Sequence, residues 1–394
     1  MPRPRRTRFL ALFAILALGT VALTLWMSRP TPPRYSVTDL GVLPGDTDSD
    51  ASAINSAGDV VGLSSAAGGT SGAPAVFHVF LYRSGRMARL GTALERTWRG
   101  ALAINDRGQV AGRFSASPKA GHACLWAAGT QQDLGTLPGL LETFAAGLNN
   151  RGQVVGGAAA VRDGTGKQPP AHAFLFSGGH MTLLPPPPGY TEVDASGING
   201  AGQVIERVSV NASRRRHSQP FLYDTQTGRW TALALPTGAR WRYANALNDQ
   251  GQVAGTAWLL AGTFNTEQSV RAVLWSGGAA TDLGTLPGAA GSGASALNGR
   301  GEVVGSADFS PSAAGEALGM RLRESNPLRR LFRTHYTRRA FVWRAGRMAD
   351  LNDLIPPDSG WTLAEARGIN DRGQIVGDGE HNGQERAFLL TPLR

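Results

Sequence analysis

Apolar positions along this chain come in short runs rather than long amphipathic stretches, and each run is bounded by Gly, Asn or Asp. Four kinds of run recur in a fixed order. The first ends in Ile-Asn or Leu-Asn, at Asn55, Asn105, Asn149, Asn199, Asn248, Asn298 and Asn370, with successive spacings of 50, 44, 50, 49, 50 and 72 residues. The second follows at once as GDVVG, GQVAG, GQVVG, GQVIE, GQVAG, GEVVG and GQIVG. The third is a compact run starting at His78, His122, His172, Gln219, Arg271, Arg339 and Arg386, as in HAFLF or RAFVW. The fourth, beyond a short turn that usually holds Gly, is typified by MARLG, QDLGTLPG and MADLNDLIP.

Runs of four or five β-formers between Gly and Asp predict short strands. The Asn, Asp and Gly between the first and second runs tolerate the positive φ of a tight hairpin. Each copy therefore predicts four antiparallel strands, a to d, in the length of a propeller blade. Small Ala, Gly, Ser and Val in strands a and b suit blades that converge on an axis, and Phe, Leu and Trp in strand c fill the widening gaps outside. Strand c does not alternate strictly, as expected when both faces of a sheet are packed.

The two ends of the repeat complete one another. The seventh copy stops after its c strand (AFLLTPLR), while Tyr35–Gly41 (YSVTDLG) is a d strand without a blade. Pairing Tyr35–Leu40 against Ala387–Leu390 removes the free sheet edges. The predicted fold is all-β: a seven-bladed β-propeller of four-stranded antiparallel blades over residues 35–394, closed by the N-terminal strand, with an insertion at about 306–338.

Residues 1–34 have a different character. Arg3, Arg5, Arg6 and Arg8 precede an uncharged stretch from Phe9 to Met27, and SRPTPPR follows. Nineteen such residues are enough to span a bilayer and lack an A-x-A cleavage site, which favours an uncleaved signal anchor with a Pro-rich spacer over a cleaved signal peptide. The Arg cluster stays cytoplasmic by the positive-inside rule, so the repeats are expected on the extracytoplasmic side, or secreted if the segment is cleaved.

The formal charge of +10 would suit a nucleic-acid partner only if it were spread over a face of the repeats. It is not. Residues 1–34 hold six Arg and no acid, residues 307–339 hold seven Arg against Asp308, Glu316 and Glu324, and the rest of the chain is neutral. Nucleic acid is therefore not an expected partner. Cys124 is the only cysteine, so an intrachain disulfide and a Cys-based zinc site are excluded. Asp46, Asp48 and Asp50 imitate the start of a calcium loop, but Ala51 and Ala57 stand where Gly and Glu belong. His78, His122 and His172 share a repeat position that Gln219 and three Arg occupy elsewhere, a pattern of polar strand starts rather than a metal ring. No nucleophile elbow or phosphate loop occurs, and no catalytic residue, metal or cofactor is assigned.

In a propeller the d–a and b–c connections emerge on one face. The b–c connections vary most in length, and variable loops on a rigid scaffold are where binding concentrates. The longest holds GEALGMRLRESNPLRRLFRTHY from Gly315 to Tyr336. Its Arg321, Arg323, Arg329, Arg330 and Arg333, beside Leu328, Leu331 and Phe332, are the candidate binding residues, toward an acidic protein, a glycan or an anionic envelope surface. A solvated insertion without a partner is the alternative.

DLGTLPG, AxxINxxGQVVG and HAFLF together resemble the HAF-repeat family of extracellular repeat proteins, over residues 35–394 and most clearly at 133–176 and 282–305. Copy four departs, with GQVIERVS and TLLPPPP. The resemblance implies export and repetition, not a reaction. The expected function is a membrane-tethered, monomeric propeller that binds protein or glycan. The alternative is a propeller hydrolase or lyase acting on envelope polysaccharide. That alternative needs carboxylates, His or Tyr at the ring centre, where the inner strands offer mainly Ala, Ser and Asn with Asp194 and Glu365.

Overall fold

A computed structural model describes residues 34–66, 76–90, 94–95, 102–117, 120–161, 170–209, 218–234, 236, 238–261, 267–309 and 337–393. The chain forms seven antiparallel sheets, each with strands a to d in spatial order. Blade 1 is Asp48–Ile54, Val60–Ser65, Val76–Arg83 and Arg86–Arg89, with Leu94–Glu95 added beside its c strand. Blade 2 is Ala103–Ile104, Val110–Ser117, Ala120–Ala127 and Thr130–Asp133. Blade 3 is Glu142–Leu148, Val154–Ala159, Ala171–Ser177 and His180–Leu183, and blade 4 is Glu192–Ile198, Gln203–Ser209, Ser218–Asp224 and Arg229–Ala232. Blade 5 is Ala239–Leu247, Val253–Ala261, Glu267–Ser276 and Ala279–Asp282, and blade 6 is Gly291–Leu297, Val303–Phe309, Thr337–Arg344 and Arg347–Asp350. Blade 7 takes a, b and c from Trp361–Ile369, Ile375–His381 and Gln384–Pro392, and d from Tyr35–Asp39.

The a strands touch one another in cyclic order around the axis. The closing strand pairs Tyr35 with Pro392 through to Asp39 with Phe388, and Leu40 N–H donates to the Ala387 carbonyl at 3.0 Å. The expected segments meet, and the ladder runs two residues beyond Leu390. Tyr35 is 2% exposed, so the strand contributes to the core as well as covering an edge.

Burial is organised between blades rather than within them. There are seven apolar clusters, one per interface; Val61, Leu63 and Val79 of blade 1, for example, meet Leu102, Val110, Cys124 and Trp126 of blade 2. Each inner sheet is thus covered on both faces, which is why its strands do not alternate cleanly. Cys124 is fully buried there, and loss of solvent pushes its thiol pKa far up, so it behaves as a small apolar side chain. Among the described residues no helix is long and apolar enough to cross a membrane.

One local device recurs that the sequence pattern does not announce. Six of the seven a strands carry an extra residue just before their Ile/Leu-Asn end, as between Ala145 and Gly147, and the register shifts there. The bulge presses an a-strand carbonyl onto strand b. A Cβ at Gly156 would overlap the Phe144 carbonyl oxygen, and Gly62, Gly255, Gly305 and Gly377 are crowded in the same way. These are the final glycines of the GQVVG runs.

Blade 4 has Glu206 at that position, opposite Ala195 and Phe221. By strand alternation it shares a face with Val204 and Val208, which pack against Val155, Ala173 and Leu184 of blade 3. The side chain is 0% exposed and, among the described residues, neither carboxylate oxygen has a hydrogen-bond partner. Burial, reinforced by the Asp194 charge, pushes its pKa up to about 9.

The folded chain therefore keeps a proton on Glu206 over a range in which the unfolded chain has lost it, and stability falls as pH rises from about 4.5 to about 9. At pH 7 this group lowers stability by about 3 kcal/mol relative to pH 4. Glu206→Gln is expected to match the wild type in urea melts at pH 4 and to exceed it by about 4–5 kcal/mol at pH 8. Parallel stability curves for the two proteins across this range would refute the assignment.

Candidate functional site

The Asn that ends each a strand does more than turn the chain. Its side-chain oxygen accepts from the backbone N–H four residues on, as Asn199 does from Gln203 at 2.9 Å, which closes the a–b hairpin. Its amide also donates to the backbone carbonyl of the equivalent Asn in the next blade. The steps run Asn55 to Asn105, Asn149, Asn199, Asn248, Asn298, Asn370 and back to Asn55, at 3.0–3.2 Å. A second donation goes to the residue at the Gln position, such as Gln153, Gln252 or Glu302. All seven Asn are buried. The I/L-N-x-x-G-Q word therefore encodes a closed belt of inter-blade hydrogen bonds, and the sequence pattern gave only its hairpin.

Above the belt Ile54, Ile104, Leu148, Ile198, Leu247, Leu297 and Ile369 form an aliphatic collar, and with the belt and the residues just below it they line a central cavity of about 610 Å3. At the a–b mouth, Asp106, Asp249 and Asp371 each accept a backbone N–H from the preceding blade, from Ser56, Gly200 and Gly299 at 2.6–2.8 Å. Burial works to raise the Asp106 pKa, but hydrogen bonds from Ser56 and Asn150 outweigh it and hold this carboxyl below its ordinary value. These carboxylates lock neighbouring turns together.

Toward the b–c mouth the copies disagree, and charged groups cluster. Arg207 makes a two-pronged contact with Asp194 at 2.6 and 3.0 Å and lies over the Tyr243 ring of blade 5 at 5.5 Å. Across blades 6 and 7, Arg338 joins Asp308 at 3.0 Å and Glu365 at 3.4 Å, while Arg367 joins Glu365 at 3.1 Å and Asp378 at 2.7 Å. Burial raises the Glu365 pKa, and Arg367 only partly offsets this. Burial opposes the Arg367 charge, yet Asp378 and Glu365 hold its pKa above the ordinary value. Asp194 and Glu365, isolated in the sequence, are thus members of arginine-bridged groups. The partners come from neighbouring strands, so no spacing rule finds them.

Arg321, Arg323, Arg329, Arg330 and Arg333 lie outside the described residues, but the root of their insertion is clear. Phe309 pairs with Thr337, and the Asp308–Arg338 ion pair ties the two ends together. The connection leaves from the b–c face beside Glu365, and on the other flank Arg339 pairs with Asp350 at 2.9 Å. Two of the three strand-c His positions are also explained: His78 contacts Asp46 and His122 contacts Asp133, each at 2.9 Å. Among the described residues no group of three His, Cys, Asp or Glu is placed to hold a metal ion.

No protein-family model and no curated protein matches the sequence. The fold is similar to solved structures at low identity. The β-propeller domain of the Trilobed protease from Pyrococcus furiosus is 8% identical, with a TM-score of 0.51 over 91% of this chain and 93% of that one. Oligogalacturonate lyase from Vibrio parahaemolyticus is 10% identical, with a TM-score of 0.54 over 90% and 93%. An oligogalacturonate lyase in complex with manganese is 12% identical, with a TM-score of 0.53 over 92% and 97%. At such identities the likeness is one of propeller fold.

Proposed function

We propose that this chain is an exported HAF-repeat propeller, held at a membrane by residues 9–27, that binds a protein or glycan through its b–c face. One contrast carries the reading. The a–b turns have nearly constant length and spend their repeated polar groups on the belt, whereas the b–c connections run from two residues (Asn382–Gly383) to 27 (310–336). A scaffold rigid on one face and variable on the other is how loop-borne recognition is built. Residues 34–394 probed against glycan and acidic-peptide arrays are expected to give selective binding, reduced when residues 310–336 are replaced by a short Gly-Ser turn.

A second reading, a propeller hydrolase or lyase acting on envelope polysaccharide, draws on the half-buried Glu365 between Arg338 and Arg367, a carboxyl with a raised pKa near the axis. Turnover of an envelope polymer, abolished by Glu365→Gln while the fold is kept, would replace the binding-only view with this one.

A further inference from the structure

The face opposite the variable connections has its own charge pattern. On the a–b and c–d turns, blade 6 contributes Arg300, Arg344 and Arg347, blade 7 contributes Arg372 and the leading Arg34, and blade 1 contributes Arg83 and Arg86. The acids on the same turns are Asp59, Glu302 and Asp371. On the turns of blades 2 to 5, Arg107, Arg151 and Arg229 are balanced by Asp106, Asp224 and Asp249. One arc of this face is basic and the remainder is neutral.

The arc is continuous. The Arg300 guanidinium reaches over the blade 7 turn to Gly373, and that of Arg372 reaches over the blade 1 turn to Gly58. Arg34, Arg344 and Arg347 border one outer groove that Asp350, paired with Arg339, and Asp353 also line, and Arg344 touches the Tyr35 hydroxyl at 3.3 Å. Arg83 is tied to Asp59 and Arg300 to Glu302. Arg34, Arg86, Arg347 and Arg372 are exposed and, among the described residues, form no ion pair with a carboxylate.

The chain also enters the propeller here, because Tyr35 pairs with Pro392 at the a–b end of blade 7. Only six residues, 28–33, separate this point from the uncharged segment ending at Met27. Fully extended, they span at most about 21 Å. Whatever surface holds residues 9–27 is therefore close to the basic arc.

We infer that the blade 6–7–1 arc of the a–b face is a docking surface for phosphate-bearing lipid headgroups, so that the propeller rests on the membrane with its variable b–c face turned away. This rests on the membrane tether proposed above. Guanidinium groups suit the occupant: they stay charged and give forked hydrogen bonds to phosphate oxygens. The orientation assigns the two basic regions different partners, since the insertion leaves from the opposite face.

The test uses residues 34–394, which hold all seven blades and the closing strand. In flotation assays with phosphatidylcholine vesicles carrying 30% phosphatidylglycerol, this fragment is expected to bind, to be released by salt, and to ignore pure phosphatidylcholine. At about 1 kcal/mol for each Arg at an anionic surface, Arg86→Gln, Arg347→Gln and Arg372→Gln together lower the partition coefficient by roughly 100-fold. Arg107→Gln, Arg151→Gln and Arg229→Gln together leave it within a few-fold. Equal binding to neutral vesicles, no binding to anionic ones, or equal losses in the two triple variants would overturn the surface. Failure of the tether reads differently: the full chain would leave membranes after carbonate extraction while the fragment still bound anionic vesicles.

Discussion

Asn199→Asp is expected to destabilise the propeller by about 3–5 kcal/mol at neutral pH, and Asn199→Ala by about 2–4 kcal/mol. The two substitutions fail for different reasons. Asn199 is 3% exposed and accepts the Gln203 N–H at 2.9 Å, while its amide donates to Gln203 Oε1 at 2.8 Å and to the Asn248 carbonyl at 3.1 Å. Alanine leaves a buried donor and two acceptors without these partners. Aspartate restores the acceptor but turns a second oxygen toward two others and buries a charge with no cation beside it. Its penalty should shrink as pH falls and the new carboxyl protonates, whereas that of alanine should not. Asn245, exposed and donating to the Ala294 carbonyl at 2.8 Å, serves as the control, with Asn245→Ala expected to cost under about 1 kcal/mol. Denaturant melts that failed to separate Asn199 from Asn245 would show that the belt is geometric decoration.

Removing the closing strand should cost still more. A chain beginning at Gly41 loses the five paired positions from Tyr35 to Asp39 together with two buried apolar side chains, Tyr35 at 2% exposure and Leu40 at 4%. The apolar loss alone amounts to about 3–6 kcal/mol. The backbone of Gln384–Pro392 then becomes an open edge in a protein with no other unclosed blade. The expected result is a lower, broader thermal transition with soluble oligomers on size exclusion, partly reversed by a synthetic peptide of residues 34–41. A monomeric truncated chain melting within a few degrees of the parent would mean that the ring does not depend on its clasp.

Both effects follow from how a propeller distributes its stability. Its apolar clusters lie between sheets, so each blade is stable only while both neighbours are in place, and the belt and the clasp each act on the whole cycle. Blade 4 is where the repeat strains. Glu206 occupies a site that the other well-formed copies leave to Gly, and burial beside the Asp194 charge disfavours its ionised form.

By itself the sequence determined the blade count, the strand order and the clasp. Those rest on local chemistry: β-formers bounded by Gly and Asp, Asn and Gly in hairpins, and a c strand and a d strand each missing a partner at opposite ends. It also placed Asn and Gly at the a–b hairpins. Only the tertiary structure decided what those words bond to. Asn55 and Asn370 are 315 residues apart yet joined at 3.0 Å, and the register of the inner ring, not local preference, sets that contact. The bulge that reserves Gly156 and the Asp194–Arg207 pair depend on the register of adjacent strands, while the Arg338–Glu365 bridge and the basic arc assembled from three blades at the chain's entry point join different blades. They exist because strand register and blade packing set which side chains meet, and they disappear from view when the copies are read one at a time.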